Sequence, residues 1–132
     1  MPPPDRAPVL LLVDIVERAD AIAAVLRRLG PGGLGDDDVL RSAVLWSLAV
    51  MGEAAARLPA GFRVAHRDVE WVQVAGFRHF VVHAYEHIDP SIVEVTARER
   101  VPPFRTRVME ILETEFPLVA RALSEHQEGE AR

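Results

Sequence analysis

The stretch that decides the fold is 36-DDDVLRSAVLWSLAVMGEAAARLP-59, which has the pattern of one long amphipathic helix. Its inward-facing residues recur at steps of three and four, the spacing of one helix face. That face consists of Leu40, Val44, Ser47, Met51, Ala55 and Leu58. Aspartates suit the beginning of the helix because they accept hydrogen bonds from free N–H groups there. Pro59 ends the helix, so the stretch predicts a central core helix.

Residues on either side of this stretch extend the pattern. Val9–Leu29 predicts a preceding helix, with an inner stripe of Val9, Leu12, Val13, Val16, Ala19, Ala23 and Leu26. Gly30 follows that helix and suits the left-handed cap position, because glycine has no Cβ to clash there. On the other side, Ala60–Arg67 has the composition of a loop.

Three more helices are predicted towards the C-terminus. The first spans roughly Asp68–His87. Asp89-Pro90 then starts a short helix, because a capping residue followed by proline favours initiation. Pro102-Pro103 interrupts that helix, and the last helix follows until Pro117 ends or kinks it. The inner residues of the last helix are Phe104, Val108, Ile111 and Leu112.

These patterns place the chain in the all-α class. A length of 132 residues suits one domain, and 49% hydrophobic residues can fill its core. No segment alternates with a period of two for long enough to indicate a strand. Short connections favour an antiparallel helical bundle of four to five helices. We expect a single domain over residues 1–132, with flexible ends at 1–8 and 127–132.

Composition excludes several classes of protein. The chain has no cysteine, which excludes a disulfide scaffold and a thiolate metal site. We find no leader sequence and no apolar run near the roughly 20 residues that span a bilayer, so we expect a cytoplasmic protein without a membrane partner. The net charge of −5 argues against tight non-specific binding of nucleic acid. A local arginine pocket for one phosphate stays compatible with it.

The side chains that can do chemistry are concentrated in Arg78-His79-Phe80-Val81-Val82-His83-Ala84-Tyr85. On a helix, Arg78 and Tyr85 share a face, and His79 and His83 are neighbours at a spacing of four. Arg78 and His83 instead point about 140° apart. One straight helix therefore cannot easily bring both to a single phosphate, whereas the second copy in a two-fold dimer can. This geometry predicts a homodimer.

Metal binding is one interpretation of the histidines. His79, His83 and His87 form a ladder with steps of four, and two adjacent members could hold an ion. The first and third lie about 12 Å apart along a helix axis, too far to share one. The glutamate of an H-E-x-x-H motif is missing. We therefore interpret the ladder as coincidental and expect neither a metal nor a cofactor.

RNA cleavage without a metal is a second interpretation. Histidine can move protons near neutral pH while the 2′-hydroxyl attacks phosphorus, and arginine can stabilise the charge on the phosphoryl oxygens. Arg78 and His83 are the right residue types for this pair. By composition alone the indication is weak, because arginine and histidine on one helix usually form a solvated face.

Three blocks of sequence resemble the HepT family of HEPN-domain toxins. The stretch Val74–Tyr85 matches the family's motif of an arginine, a polar residue, a histidine and a tyrosine, as Arg78-x4-His83-x-Tyr85. Met51–Leu58 resembles the family's second-helix block, and Ile88–Val93 resembles the segment after the motif. The order and spacing of the three blocks make the resemblance specific, and it extends from about residue 13 to residue 112.

The resemblance implies a function and a partner. It implies a HEPN-like helical dimer that cleaves RNA as a metal-independent endoribonuclease, with Arg78 and His83 as the catalytic pair in a shared cleft. It also implies a toxin–antitoxin system, in which a minimal nucleotidyltransferase antitoxin transfers AMP to Tyr85. An adenylate on Tyr85 would place its phosphate beside Arg78, on the same helix face.

Several residues allow more than one interpretation. His79 stands where the family often has asparagine, and could be a tolerated polar variant or a second proton carrier. Glu53 could orient His83 or Arg78, or could be an exposed helix glutamate. Trp46 and Trp71 are better candidates for core or interface anchors than for base stacking. The alternative function is a non-catalytic helical subunit that binds a nucleotide or substrate and works with a nucleotidyltransferase.

Overall fold

A computed structural model describes residues 7–87 and 89–131, with the side chains of residues 84–87 and 130–131 excepted. Within that part of the chain the structure is helical and has no strand, which confirms the predicted all-α class. The α-helices are α1 Pro8–Arg27, α2 Asp38–Arg57, α3 Ala60–Ala65, α4 Trp71–Ala75, α5 Phe77–His87, α6 Pro90–Val95, α7 Val101–Glu115 and α8 Pro117–Ala131.

Helix α2 is the centre of the bundle, as its sequence predicts. It packs against α1, α4 and α5. The six positions of its predicted inner face are all buried. Asp37 caps the helix, since its Oδ1 accepts a hydrogen bond from the Leu40 N–H at 2.9 Å. The helix is long and apolar enough to cross a membrane by length and composition, but half of that window is buried in the bundle, as expected for a core helix.

Helix α1 packs along α2 with a stripe that differs from the predicted one. The residues it buries are Leu11, Leu12, Ile15, Val16, Ala19 and Ile22. Ala23, predicted to face inward, is exposed, and Val13 is only partly buried. The cause is the apolar run at the start of the helix, which supports more than one assignment of the inner face. The expected cap at Gly30 is also wrong: the left-handed glycine of the described residues is Gly33, with φ 65°.

Residues 60–65, predicted as a loop, form helix α3. Proline at position 59 caps its start, and Phe62 packs its ring against His66 and Trp71, with centroids 4.6 and 6.1 Å apart. The Trp71 indole N–H donates to the His66 carbonyl at 3.0 Å. These contacts with neighbouring residues hold six residues helical that would not form a helix alone.

The predicted long third helix is divided in two. Helix α4 begins at Trp71, and α5 follows it after the single residue Gly76. The Phe80 N–H donates to the Gly76 carbonyl at 2.9 Å, so the junction is tight. This junction packs against α2 at Gly52.

Helices α6 and α7 form one rod joined by a π-helical turn, Thr96–Arg100. The predicted interruption before Pro102-Pro103 is therefore a change of helical register, without a loop. Both prolines lie in the first turn of α7, directly after the π turn, and that wider turn is where the rod accommodates their rings and missing N–H groups. The inward side of the rod stays apolar through the turn, because Val93, Ala97 and Val101 are all buried.

Helix α8 begins at Pro117 and extends to Ala131, so residues 127–131 are helical. Asp20 of α1 anchors this end of the bundle: its Oδ1 accepts from the Arg105 Nε at 2.7 Å, and its Oδ2 accepts from the Gln127 amide. The flexibility expected for residues 127–132 stays a prediction.

Candidate active site

Helix α5 has an inward apolar face and an outward polar face. Phe77 is buried, and Phe80 and Val81 pack partly buried against the core. On the outer side, Arg78, His79, Val82 and His83 are all exposed. The apolar residues therefore fix the rotation of the helix and direct the chemical side chains to solvent.

Gly52 of α2 sets the distance between α2 and the α4–α5 junction. A Cβ built on Gly52 would stand 2.9 Å from the Arg78 backbone nitrogen and 3.0 Å from the Val74 carbonyl oxygen. The first distance is shorter than a Cβ tolerates, the second is tighter than most Cβ contacts, and both atoms belong to the backbone. Sequence reasoning did not assign Gly52 this role. The available signal was a glycine inside a helix pattern, which often marks a close approach of another backbone.

Glu53, the next residue of α2, forms an ion pair with Arg78. The Arg78 Nη1 donates to the Glu53 Oε2. The side chains are 62% and 46% exposed, so solvent reaches the pair. Of the two partners that the sequence suggested for Glu53, the structure places it against Arg78. The carboxylate holds one edge of the guanidinium and leaves other N–H groups for a ligand.

His79 and His83 contact each other on the outer face of the same helix. Their Nε2 atoms lie 3.0 Å apart, and the rings meet edge to face with centroids 4.4 Å apart. At this distance one nitrogen donates a hydrogen bond and the other accepts it. The predicted pairing at a spacing of four is therefore present in the structure.

The site accordingly consists of two pairs, one within α5 and one that joins α5 to Glu53 of α2. Arg78 is held by Glu53, whereas His83 is held by His79. Exposed Val82 lies between Arg78 and His79 around the helix, four residues from one and three from the other. The 3.6-residue period predicts that Arg78 and His83 point in different directions. In the structure the two side chains have different partners, Glu53 and His79.

The remaining predicted site residues lie partly outside what the structure describes. Tyr85 and His87 belong to the backbone of α5, but their side chains are outside the described residues. Among the residues that are described, no group of three histidine or carboxylate side chains has the arrangement of a metal site. The role of Tyr85 as AMP acceptor stays a prediction, and so does the interpretation of the histidine ladder through His87 as coincidental.

The two tryptophans have different environments. Trp71 is buried and packs edge-on against Phe104, with centroids 5.7 Å apart, so it is a core anchor as predicted. Trp46, on the outer side of α2, is 60% exposed. The Arg18 guanidinium lies 5.0 Å from the centre of its ring. Trp46 is therefore not a core residue, and the interface and base-stacking roles considered for it stay predictions.

Comparison with known proteins links these residues to one family. Residues 15–111 match the family model described as ribonuclease HepT-like. The matched range begins in α1 and ends in α7, and it includes both pairs of the site and the Gly52 contact. No solved structure matches the chain significantly.

Curated relatives carry provisional ribonuclease names. A protein of Caldanaerobacter subterraneus subsp. tengcongensis, provisionally named an RNase, is 37% identical over 79 residues, which is 60% of this chain and 70% of the relative. A protein of Thermococcus cleftensis, provisionally named ribonuclease HepT, is 28% identical over 94 residues, or 71% of this chain and 86% of the relative. A provisionally named RNase of Methanocaldococcus jannaschii is 27% identical over 97 residues, or 74% and 89% of the two chains.

Proposed function

The chain belongs to the HepT-like ribonuclease family, and from that premise we propose that it is the toxin of a toxin–antitoxin pair that cleaves RNA internally without a metal ion. The family and the names of its relatives support ribonuclease function. The observation that carries the proposal is the matched segment itself, in which Arg78 and His83 stand exposed on the outer face of α5.

The two residues have complementary chemical roles in this proposal. His83 exchanges a proton with the reacting oxygens of RNA, which contributes about 10²- to 10⁴-fold in rate. Arg78 stabilises the negative charge that develops on the phosphoryl oxygens. Glu53 orients the guanidinium through the ion pair, so that its free edge faces the substrate.

A two-fold homodimer unites these roles. Arg78 and His83 have different partners and different faces within one chain. In a two-fold dimer, Arg78 of one subunit can approach His83 of the other, and the same contact occurs twice. Exposed apolar residues are available for the interface, namely Val82 on α5 and Trp46 on α2, which are 64% and 60% exposed.

The proposed partner is a minimal nucleotidyltransferase antitoxin that neutralises the toxin by transferring AMP to Tyr85. Arg78 and Tyr85 differ by seven positions, which is close to two full helical turns. A phosphate attached to Tyr85 would therefore lie on the Arg78 side of α5 and compete with RNA for the guanidinium. Co-expression of the two proteins followed by mass spectrometry tests this: neutralisation with unmodified Tyr85 contradicts it.

The ribonuclease proposal is tested with purified chain, a mixed-sequence RNA and excess EDTA. We expect internal cleavage by the wild type, and a loss of about 100-fold or more for Arg78→Ala and for His83→Ala. His126→Ala, at an exposed position of α8, is the matched control and should cleave like the wild type. Size-exclusion chromatography with light scattering checks that each variant keeps the assembly of the wild type.

Two results would contradict the proposal. Cleavage that requires an added divalent cation would disprove metal independence. Undiminished cleavage and growth inhibition by a folded His83→Ala variant would disprove catalysis at this site and favour the alternative, a non-catalytic helical subunit of a nucleotidyltransferase.

A further inference from the structure

The contact between His79 and His83 places two imidazole nitrogens within hydrogen-bond distance of each other. Their Nε2 atoms lie 3.0 Å apart. A hydrogen bond between two such nitrogens has one ring as donor and the other as acceptor, and the tautomers decide which is which. Both side chains are exposed on the outer face of α5, so a substrate can reach the two nitrogens.

We propose that His79 is a second catalytic residue, which acts with His83 as an acid–base pair; this inference rests on the ribonuclease function proposed above. Arg78 stabilises charge in this scheme, and the two histidines share the proton transfers. The pair lies within one chain, so each active site of the dimer obtains both proton carriers from the same helix.

The reaction balances with two histidines and no other reactant. One imidazole removes the proton of the RNA 2′-hydroxyl as the bond from the 2′-oxygen to phosphorus forms. The bond from phosphorus to the 5′-oxygen breaks, and the other ring, as imidazolium, gives its proton to that oxygen. The products are a 2′,3′-cyclic phosphate and a 5′-hydroxyl. The enzyme keeps its total number of protons, but the charged and neutral rings have exchanged places.

The observed contact explains how the pair returns to its starting state. Once the products leave, the two Nε2 atoms can again form their hydrogen bond, and the proton can pass along it from the charged ring to the neutral one. Two histidines on opposite sides of a cleft would need water for this transfer. A pair on one helix face does not, because the rings already touch.

The spacing on the helix also allows a substrate between the rings. Attacking and leaving oxygens lie in line on opposite sides of phosphorus, so two proton carriers must flank the phosphate. Residues four apart on a helix have Cβ atoms about 5–6 Å apart. Exposed rings anchored at that separation can rotate from mutual contact to positions on either side of a phosphodiester. Arg78 then faces the phosphoryl oxygens from the partner subunit of the proposed dimer.

The experiment compares an ordinary RNA dinucleotide with one whose 5′-bridging oxygen is replaced by sulfur, a leaving group that needs no proton. We expect His79→Ala and His83→Ala each to lower cleavage of the ordinary substrate about 100-fold or more. The sulfur substrate should restore near wild-type cleavage to one of the two variants, the one lacking the acid. The other variant, lacking the base, should stay impaired with both substrates.

His79→Asn separates proton transfer from mere positioning of His83. The amide can donate a hydrogen bond to the His83 ring, but it cannot exchange a proton with substrate. We expect it to be as impaired as His79→Ala and to lose one limb of the bell-shaped dependence of kcat/KM on pH. His126→Ala again serves as the control.

Three outcomes would overturn the inference. Wild-type cleavage of the ordinary substrate by His79→Asn would leave His79 a positioning residue. If His79→Ala and His83→Ala both lose cleavage and the sulfur substrate rescues neither, neither histidine is the acid that protonates the leaving oxygen. A wild type that cleaves neither substrate would overturn the ribonuclease function together with the inference, whereas the first two outcomes overturn the acid–base pair and leave the ribonuclease function standing.

Discussion

Gly52 and Arg78 pack backbone to backbone, since a Cβ on Gly52 would stand 2.9 Å from the Arg78 nitrogen. The absence of a side chain on α2 thus determines where α5 begins, and with it where the guanidinium lies.

Gly52→Ala is therefore expected to lower stability and activity together. The added methyl meets backbone atoms that cannot rotate away, so overpacking should cost about 1–3 kcal/mol in the free energy of unfolding. Displacement of α5 should also weaken the Arg78–Glu53 pair and slow RNA cleavage. Chemical denaturation and a cleavage assay measure the two effects.

Gly61→Ala is the matched control for that change. A Cβ on Gly61 meets nothing within 4 Å, and the residue lies in helix α3. Alanine should be neutral or stabilising there by up to about 1 kcal/mol. Equal stability of Gly52→Ala and the wild type would show that the two helices separate without cost.

Glu53→Ala is expected to affect activity far more than stability. Both members of the pair with Arg78 are exposed, so the ion pair should contribute under about 1 kcal/mol to folding. The freed guanidinium loses its orientation, and we expect cleavage to fall about 10-fold. Glu125→Ala, which removes the more exposed pair with Arg121 on α8, should change neither stability nor cleavage. If Glu53→Ala cleaves as fast as the wild type, Glu53 does not orient Arg78.

Mixing Arg78→Ala with His83→Ala subunits tests whether the site is shared between chains. If each site combines Arg78 of one subunit with His83 of the other, a mixed dimer contains one intact site. Random mixing should then recover about a quarter of wild-type activity, although each variant alone is inactive. Recovery should follow the rate of subunit exchange. Absence of activity in a verified mixed dimer would mean that both residues act within one chain.

Glu94 gives the fold a pH dependence that is independent of the site. The Leu34 backbone N–H, which donates to its Oε1 at 2.9 Å, and then Arg98 lower the pKa of this carboxyl below its usual value. A lowered pKa in the folded state means that the charged form stabilises the fold above the unfolded value of about 4.3. That contribution is lost as the pH falls through the lower, folded-state pKa.

Glu94→Gln should therefore be less stable than the wild type by about 1 kcal/mol at neutral pH. The difference should shrink as the pH falls below about 4, where the wild-type carboxyl takes up its proton. Thermal unfolding at a series of pH values measures it. A stability difference that is constant from neutral pH to pH 3 would show that the charge of Glu94 does not contribute to the stability of the fold.

The predictable parts of the fold are those decided by local pattern. The inner face of α2 followed from its period, and the boundary at Pro117 followed from the missing N–H and the ring of proline. Helix α3 did not follow from a local pattern, because its six residues are held helical by the packing of Phe62 against His66 and Trp71. Such contacts are outside the reach of a periodicity argument.

The site, too, has features that the sequence predicts and one that it does not. The pairing of His79 with His83 and the separation of both from Arg78 are consequences of one helix period, which the sequence contains. The contact of Gly52 with Arg78 joins residues on two helices, and the path of the chain between them decides it. The sequence offered only a glycine in a helix as a sign, and several of the chain's glycines have no such contact.

The π turn Thr96–Arg100 contains one residue more than an α-helical turn would need. Removal of one residue from this turn would let the rod continue as a regular α-helix, with Val93 and Phe104 in nearly the same relative orientation. Both are core residues on the same rod. In the α-helical part of the rod a deletion would instead rotate all later side chains by about 100°, so a single-residue deletion should be tolerated much better in the π turn than in α7.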